Sequence, residues 1–343
     1  MTTPASLDRI PPRPAALPQP DVRVAILPGD RPTVAAEDRV EPGQPILERL
    51  RHPQVAEHGV QGHAAPGPGA TFADGAAVAG SGRHALRFEG AGEILGALPG
   101  GRVRAVVSRH HSLVESPVAG TVSAVGACAL SIRADGVGIP AMFVIGEPSA
   151  GPLVFAVESP AAELHAQGID VRHAGAILVA GSRTDVESLT RARAMGVRGV
   201  IAGGMVGTDM VALRASLERQ EASVHASPPF ALAVLDGYGK RPVPRDVWEA
   251  LSQAAGRTVG LAVTPPLVLL PPDAAPSDAD RSRIRVAAGP LLGRTGRVLD
   301  LVGLRRMSAG VYQECARVAL DPVAPPGAQE IVDVPLADLE RHG

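Results

Sequence analysis

Residues 114–125 read Val-Glu-Ser-Pro-Val-Ala-Gly-Thr-Val-Ser-Ala-Val. The run divides into two short strands, 112–115 and 120–125, with proline and glycine marking the turn between them. Upstream, residues 34–47 read Val-Ala-Ala-Glu-Asp-Arg-Val-Glu-Pro-Gly-Gln-Pro-Ile-Leu. Here the turn Glu41-Pro42-Gly43 separates Val40 from a second short strand at 45–47. Residues 22–27 alternate as a strand before the turn Pro28-Gly29-Asp30, and 103–107 and 129–133 supply further strands. Many short strands bounded by glycine or proline predict a small β-barrel or sandwich.

The two stretches together resemble the halves of a barrel-sandwich hybrid, the fold of biotinyl and lipoyl carrier domains. That resemblance implies a prosthetic group on a lysine at a hairpin tip. Of the 33 basic residues, Lys240 is the one lysine, far outside this region, so no covalent biotin or lipoate is expected. Val34, Glu37, Asp38, Val40, Gly43 and Gln44, followed by Ser116, Pro117, Val118, Gly120 and Val122, also resemble the N-terminal barrels of soluble subunits in Rnf-type and sodium-pumping NADH:quinone reductase complexes. Glu37 stands where that pattern has glycine. The cysteine clusters that would ligate iron–sulfur centres are missing.

The chain of 343 residues is long enough for two or three domains, and 45% hydrophobic residues indicate a globular protein. A net charge of −2 gives no general attraction to nucleic acid or anionic membranes. At 2%, aromatic residues are too scarce for a base-stacking platform. Abundant Ala, Gly, Pro and Arg, with no asparagine, point to a GC-rich genome, so arginine enrichment is no evidence for phosphate binding. Cys128 and Cys315 stand apart without metal spacing. Residues 1–20 form no signal-peptide core and predict a flexible arm, and no stretch approaches the ~20 apolar residues of a span. A cytoplasmic protein without membrane insertion is expected.

Residues 52–82, crowded with Gly, Pro and Ala, predict a loop inserted in a β domain over 21–160. Six of the 10 histidines, His52, His58, His63, His84, His110 and His111, fall between residues 52 and 111. Without cysteine or tight ligand spacing they predict a solvated loop rather than a metal site, and no metal or cofactor is expected.

From about residue 174 the pattern changes. The apolar run 176–180 marks a strand buried on both faces. Thr184-Asp185-Val186-Glu187 predicts a capping box, Thr184 capping a helix that ends at Gly196. Strands at 197–202, 230–235, 259–263 and 267–270 alternate with helices opening at Thr208 and Arg245. This predicts a Rossmann-like α/β domain over 161–270 with a mostly parallel sheet. The turns Gly181-Ser182-Arg183 and Gly203-Gly204-Met205-Val206-Gly207-Thr208 lead into helix N-termini, where anions bind. Neither completes a phosphate-loop motif. A ligand there would meet Ser182, Arg183, Gly204 and Thr208; otherwise these residues simply make turns and caps.

Residues 271–282 read as a linker. Beyond it, Gly289-Pro290-Leu291-Leu292-Gly293-Arg294-Thr295-Gly296-Arg297-Val298 resembles the KOW motif of NusG-type transcription factors and some ribosomal proteins. It implies an SH3-like barrel over 283–343, with a longer insertion around 303–313. Between 281 and 306, Arg281, Arg283, Arg285, Arg294, Arg297, Arg305 and Arg306 face only Asp300. They define a candidate nucleic-acid or partner face, unless strand alternation merely makes them the wet side.

The expected architecture is multidomain α/β plus β. No nucleophile elbow or complete catalytic set is visible. The leading reading is a non-enzymatic assembly or adaptor protein whose β modules contact a protein partner. The rivals are an RNA- or ribosome-associated factor, a nucleotide- or phosphate-binding sensor or enzyme, and an accessory subunit of an electron-transfer complex.

Overall fold

The computed structural model describes residues 9–10, 16–60, 66–81, 84–221, 228–274, 283–308, 310–321 and 330–341. The chain is mixed α/β with strands predominating, arranged in several sheets.

The two stretches singled out first lie together. Arg39–Val40 pairs with Gly120–Val125, and Pro45–Arg51 pairs with His110–Glu115. Ser116 N donates to Gln44 O at 2.8 Å, and Gly43 N donates to Ser116 O at 2.8 Å. Glu37 N donates to Val122 O at 2.8 Å from a backbone with φ of 73°. Glu37 therefore holds a left-handed conformation that suits glycine and strains an L-residue. Glu37→Gly is expected to stabilise the protein by about 0.5–1 kcal/mol, the relief of strain exceeding glycine's larger chain entropy. Urea unfolding would check it; a loss of stability would show that the Glu37 side chain has a role of its own.

These strands surround Val22, Ile46, Val114, Val122 and Ile132. The same core contains Ala262, Leu267 and Leu269 from the central sheet, so the two units share one interior. Gly260, also in that sheet, lies so close to Pro117 O that a Cβ would overlap it.

The central sheet has nine strands, in the order Leu17–Pro18, Val137–Pro140, Leu267–Leu270, Thr258–Ala262, Ser149–Phe155, Ile177–Val179, Gly199–Ala202, Ala231–Val234, Phe143–Gly146. Ser149–Phe155, Ile177–Val179, Gly199–Ala202 and Ala231–Val234 run parallel; the remaining pairs are antiparallel. The expectation of a mostly parallel sheet is thus corrected, and strands before residue 161, among them Val137–Pro140 and Ser149–Phe155, belong to this sheet. Most of its antiparallel partners lie far apart in the chain, as Val137–Pro140 with Leu267–Leu270 and Phe143–Gly146 with Ala231–Val234, and such long-range pairings carry no local signal in sequence.

Both faces of the parallel strands are covered, which is why they read as continuous apolar runs. Leu178, Val200 and Leu232 face the helices Val186–Ala194 and Gly207–Glu221 through Leu189, Ala192 and Leu213. Ile177, Ile201 and Ala233 belong to the core on the helix Arg245–Gln253, through Val247 and Leu251. Asp185, not Thr184, caps the first helix, its carboxylate accepting from Ser188 N at 2.8 Å. Thr184 is buried as the partner of Met205 in a short parallel pairing.

The expected loop 52–82 is also corrected. Gln54–Gly59, Arg102–Ser108, Ala91–Leu98 and Thr71–Phe72 form a separate sheet in that order. Its core gathers Phe72, Phe88, Ile94, Val103 and Ala105. Too few apolar residues lie within 52–82 to announce a core, because strands after residue 90 complete it.

The C-terminal module is an antiparallel five-stranded sheet ordered Glu330–Pro335, Tyr312–Leu320, Thr295–Arg306, Arg283–Val286, Leu339–Arg341. The expected insertion at 303–313 is an extension of one hairpin, paired out to Arg306 and Tyr312. The described part of the N-terminal arm is anchored: Ile10 is buried in the C-terminal core, and Leu17–Pro18 joins the central sheet. Of the expected linker, Pro272–Ala274 forms a turn with Ala274 buried, while 275–282 lies outside the described residues. Cys128 and Cys315 are both free.

Candidate functional site at the carboxyl edge

Parallel strands end their chains at one edge of a sheet, where the following loops gather polar groups. In this chain those loops contain Ser182, Arg183, Gly204 and Tyr238. The short pairing of Arg183–Thr184 with Gly204–Met205 and the bridge between Met205 and Tyr238 draw them into one layer.

An anion cradle requires free backbone N–H groups. Here the four turn residues Ser182, Gly203, Gly204 and Met205 use theirs internally. Ser182 N donates to Ala162 O at 2.7 Å, Gly203 N to Gly181 O at 2.7 Å and Gly204 N to Ser182 O at 3.1 Å. Met205 N donates to Gly237 O at 3.1 Å. The Ser182 hydroxyl is buried and donates to Ala161 O and Ala162 O at 2.8 and 3.0 Å. Gly204 is pressed against the Gly239 carbonyl, which explains the need for glycine without invoking a ligand. Thr208 is exposed in the helix Gly207–Glu221.

Arg183 belongs to a charge network. Its guanidinium lies 4.0 Å from Glu163 and 3.8 Å from Asp209, and Lys240 lies 2.7 Å from Glu163. The hydrogen bond from Lys240, working against partial burial and aided by the charges of Lys240 and Arg183, holds the Glu163 carboxyl below the usual carboxylate range. Two cations and two carboxylates neutralise one another, so the edge carries little net charge for an incoming anion. Glu163 was invisible from sequence because the bridges placing it beside Gly181 and Arg183 are formed by a segment without regular periodicity.

The C-terminal module docks beside this network. Arg285 is buried and ion-paired with Asp236, with Glu340 at 3.6 Å. Arg241 Nη1 donates to Ala287 O at 2.9 Å, joining the same two units.

These and further ion pairs engage several arginines of the candidate face. Arg283 pairs with Asp321, Arg294 with Glu330, and Arg305 lies 3.5 Å from Asp333. Arg297 and Arg306 are exposed on the long strand. These partners lie beyond residue 306, because antiparallel pairing supplies them from further along the chain. Arg281 and His63 lie outside the described residues.

Among the described residues no group of His, Cys, Asp and Glu is placed to hold a metal ion, and no helix is long and apolar enough to cross a membrane. No protein-family model matches the chain, and no curated protein matches it.

Proposed function

We propose that the chain is a non-enzymatic assembly or adaptor protein that contacts a protein partner through its β modules. The observation that carries this reading is the hairpin formed by Thr295–Arg306 and Tyr312–Leu320. The flanking strand Glu330–Pro335 covers it only as far as Cys315. Beyond that point Leu304 is 63% exposed and Tyr312 66% exposed. Leu304 opposes Glu314 and Arg306 opposes Tyr312, so strand alternation puts Leu304 and Tyr312 on one face. Large apolar groups held together in water on a projecting element suit a protein contact.

The rest of the chain supports the same reading. We read the first β unit as a barrel-sandwich hybrid kept for its shape: its Ser-Pro-Val turn packs on the central sheet and carries no lysine. We read the central unit as Rossmann-like without a nucleotide cradle in its first turns, where the N–H groups of Ser182, Gly203, Gly204 and Met205 are occupied. We read the C-terminal unit as an SH3-like barrel whose arginines are largely committed to internal carboxylates, which weakens the RNA alternative.

The test is affinity capture from the native host with mass spectrometry, with and without nuclease, comparing wild type with L304E/Y312E. Wild type is expected to retain a discrete protein set after nuclease, and the double variant to lose at least ten-fold of it with an unchanged melting temperature. Partners lost on nuclease treatment would move the assignment to RNA. Equal recovery by the variant would remove the hairpin as the docking element.

A further inference from the structure

We propose that the partner of the projecting hairpin is a second copy of this chain, an inference that rests on the reading of that hairpin as a docking element. The register fixes which side chains share its bare face. Leu304 stands opposite Glu314 and Arg306 opposite Tyr312, and both bulges of the long strand lie nearer its base. Opposed residues, and residues two apart, lie on one side of a sheet, so these side chains form a square. Its corners alternate: Leu304 and Tyr312 occupy one diagonal, Arg306 and Glu314 the other. All of them are exposed.

The opposite face of the hairpin is satisfied internally, since Arg305 and Arg317 share Asp333 there. The bare face is not. Arg306 makes no ion pair among the described residues. One oxygen of Glu314 accepts from Arg9, and both side chains are about half exposed. An exposed pair of this kind contributes little, and a carboxylate has lone pairs enough for a second guanidinium. Glu314 therefore stays open to another cation.

A square with this pattern is its own complement. A two-fold axis along the Leu304–Tyr312 diagonal lays Leu304 on Leu304 of the second copy and Tyr312 on Tyr312. The same rotation carries Arg306 onto Glu314 and Glu314 onto Arg306, so each charge meets its opposite. That reciprocity is what an isologous contact requires. The hairpins then cross near right angles, one of the preferred ways for sheets to pack. The other diagonal would set Arg306 on Arg306, and axes along or across the strands would set a charge on Leu304. One arrangement alone pairs apolar with apolar and cation with carboxylate.

Strand addition at the edge of Thr295–Arg306 fits less well, because bulges between Val298 and Asp300 and between Leu301 and Gly303 break the ladder there. The face contact is small and belongs with weak interfaces, which bury under about 1,200 Å² in total. Association is accordingly reversible and depends on protein concentration.

The test is sedimentation velocity on the full chain, from low micromolar to submillimolar concentration. The wild type is expected to show a monomer–dimer equilibrium, and L304E/Y312E to stay monomeric. R306E and E314R should each weaken the dimer at least ten-fold, because like charges then face one another. An equimolar mixture of R306E with E314R should recover association to within about three-fold of wild type, since every charge in the mixed dimer again meets its opposite. All these positions are exposed, and unchanged circular dichroism and melting would show that the fold is kept. A wild-type monomer at every concentration, a dimer unchanged in both charge variants, or a mixture that stays monomeric would overturn the proposal. A monomeric wild type that still retains partners through Leu304 and Tyr312 in affinity capture would overturn self-association alone and leave the hairpin a docking element. A dimer indifferent to L304E/Y312E would remove the hairpin from both.

Discussion

Replacing Arg285 with alanine is expected to lower stability by about 3–5 kcal/mol and to loosen the C-terminal sheet from the central one. The Arg285 side chain is 3% exposed and that of Asp236 12% exposed, so neither charge has water to fall back on. Their pairing, with Glu340 nearby, offsets the desolvation of both. Alanine would leave Asp236 buried without its cation and open a void the size of an arginine stem. The pair is not ideal in itself: the Arg285 Nε is buried without a hydrogen-bond partner. R285M/D236L is therefore expected to recover most of the loss, since removing both charges also removes both desolvation costs. Calorimetry would show the R285A effect as a lower or newly separated transition for the C-terminal sheet. An R285A protein melting like wild type would mean that the module is held by its other contacts, such as Arg241 on the Ala287 carbonyl.

Arg285 also shows where sequence stops being informative. Arg283-Ile284-Arg285 alternates as a half-exposed strand should, with arginines on the wet face. Within the five-stranded sheet alone that reading is sound, since Ile284 belongs to the core. The face of Arg285 becomes interior only because a second unit packs against it, and no local pattern encodes that contact. The runs around Ile177, Val200 and Leu267 were legible for the opposite reason: burial on both faces is written into every residue of those strands. Helix boundaries followed from short-range chemistry, and the capping residue differed from expectation by one position, Asp185 for Thr184. The strands at 54–59 and 71–72 escaped because their core partners, Ile94 and Val103, arrive later in the chain. Its position in a turn marks Ser182 in the sequence; that its hydroxyl serves two carbonyls depends on a loop with no periodicity.

Gly260→Ala is expected to destabilise the protein by about 3 kcal/mol, against the usual sign for such a change. In an ordinary strand, alanine gains roughly 0.5–1 kcal/mol over glycine, because glycine loses more chain entropy on folding. Gly260 is paired on both sides, with Ala150 and with Leu269, so its strand cannot shift within the sheet. Its Cβ direction points at the carbonyl of Pro117, which a methyl group would overlap. The turn above is equally constrained. Ser116 is fully buried, and its hydroxyl donates to Val118 O at 2.7 Å while Val118 packs into the core with Leu267 and Leu269. Either the Ser-Pro-Val turn lifts from the sheet or the three-strand register distorts, and both expose apolar surface. Urea unfolding reads the loss, and faster hydrogen exchange at the Val118 amide would place it at the turn. A stabilised G260A protein would show that the turn yields freely, as a mobile hairpin tip must. Destabilisation would make it a fixed joint between two units, which requires a flat backbone beneath it and has no use for a lysine at its apex.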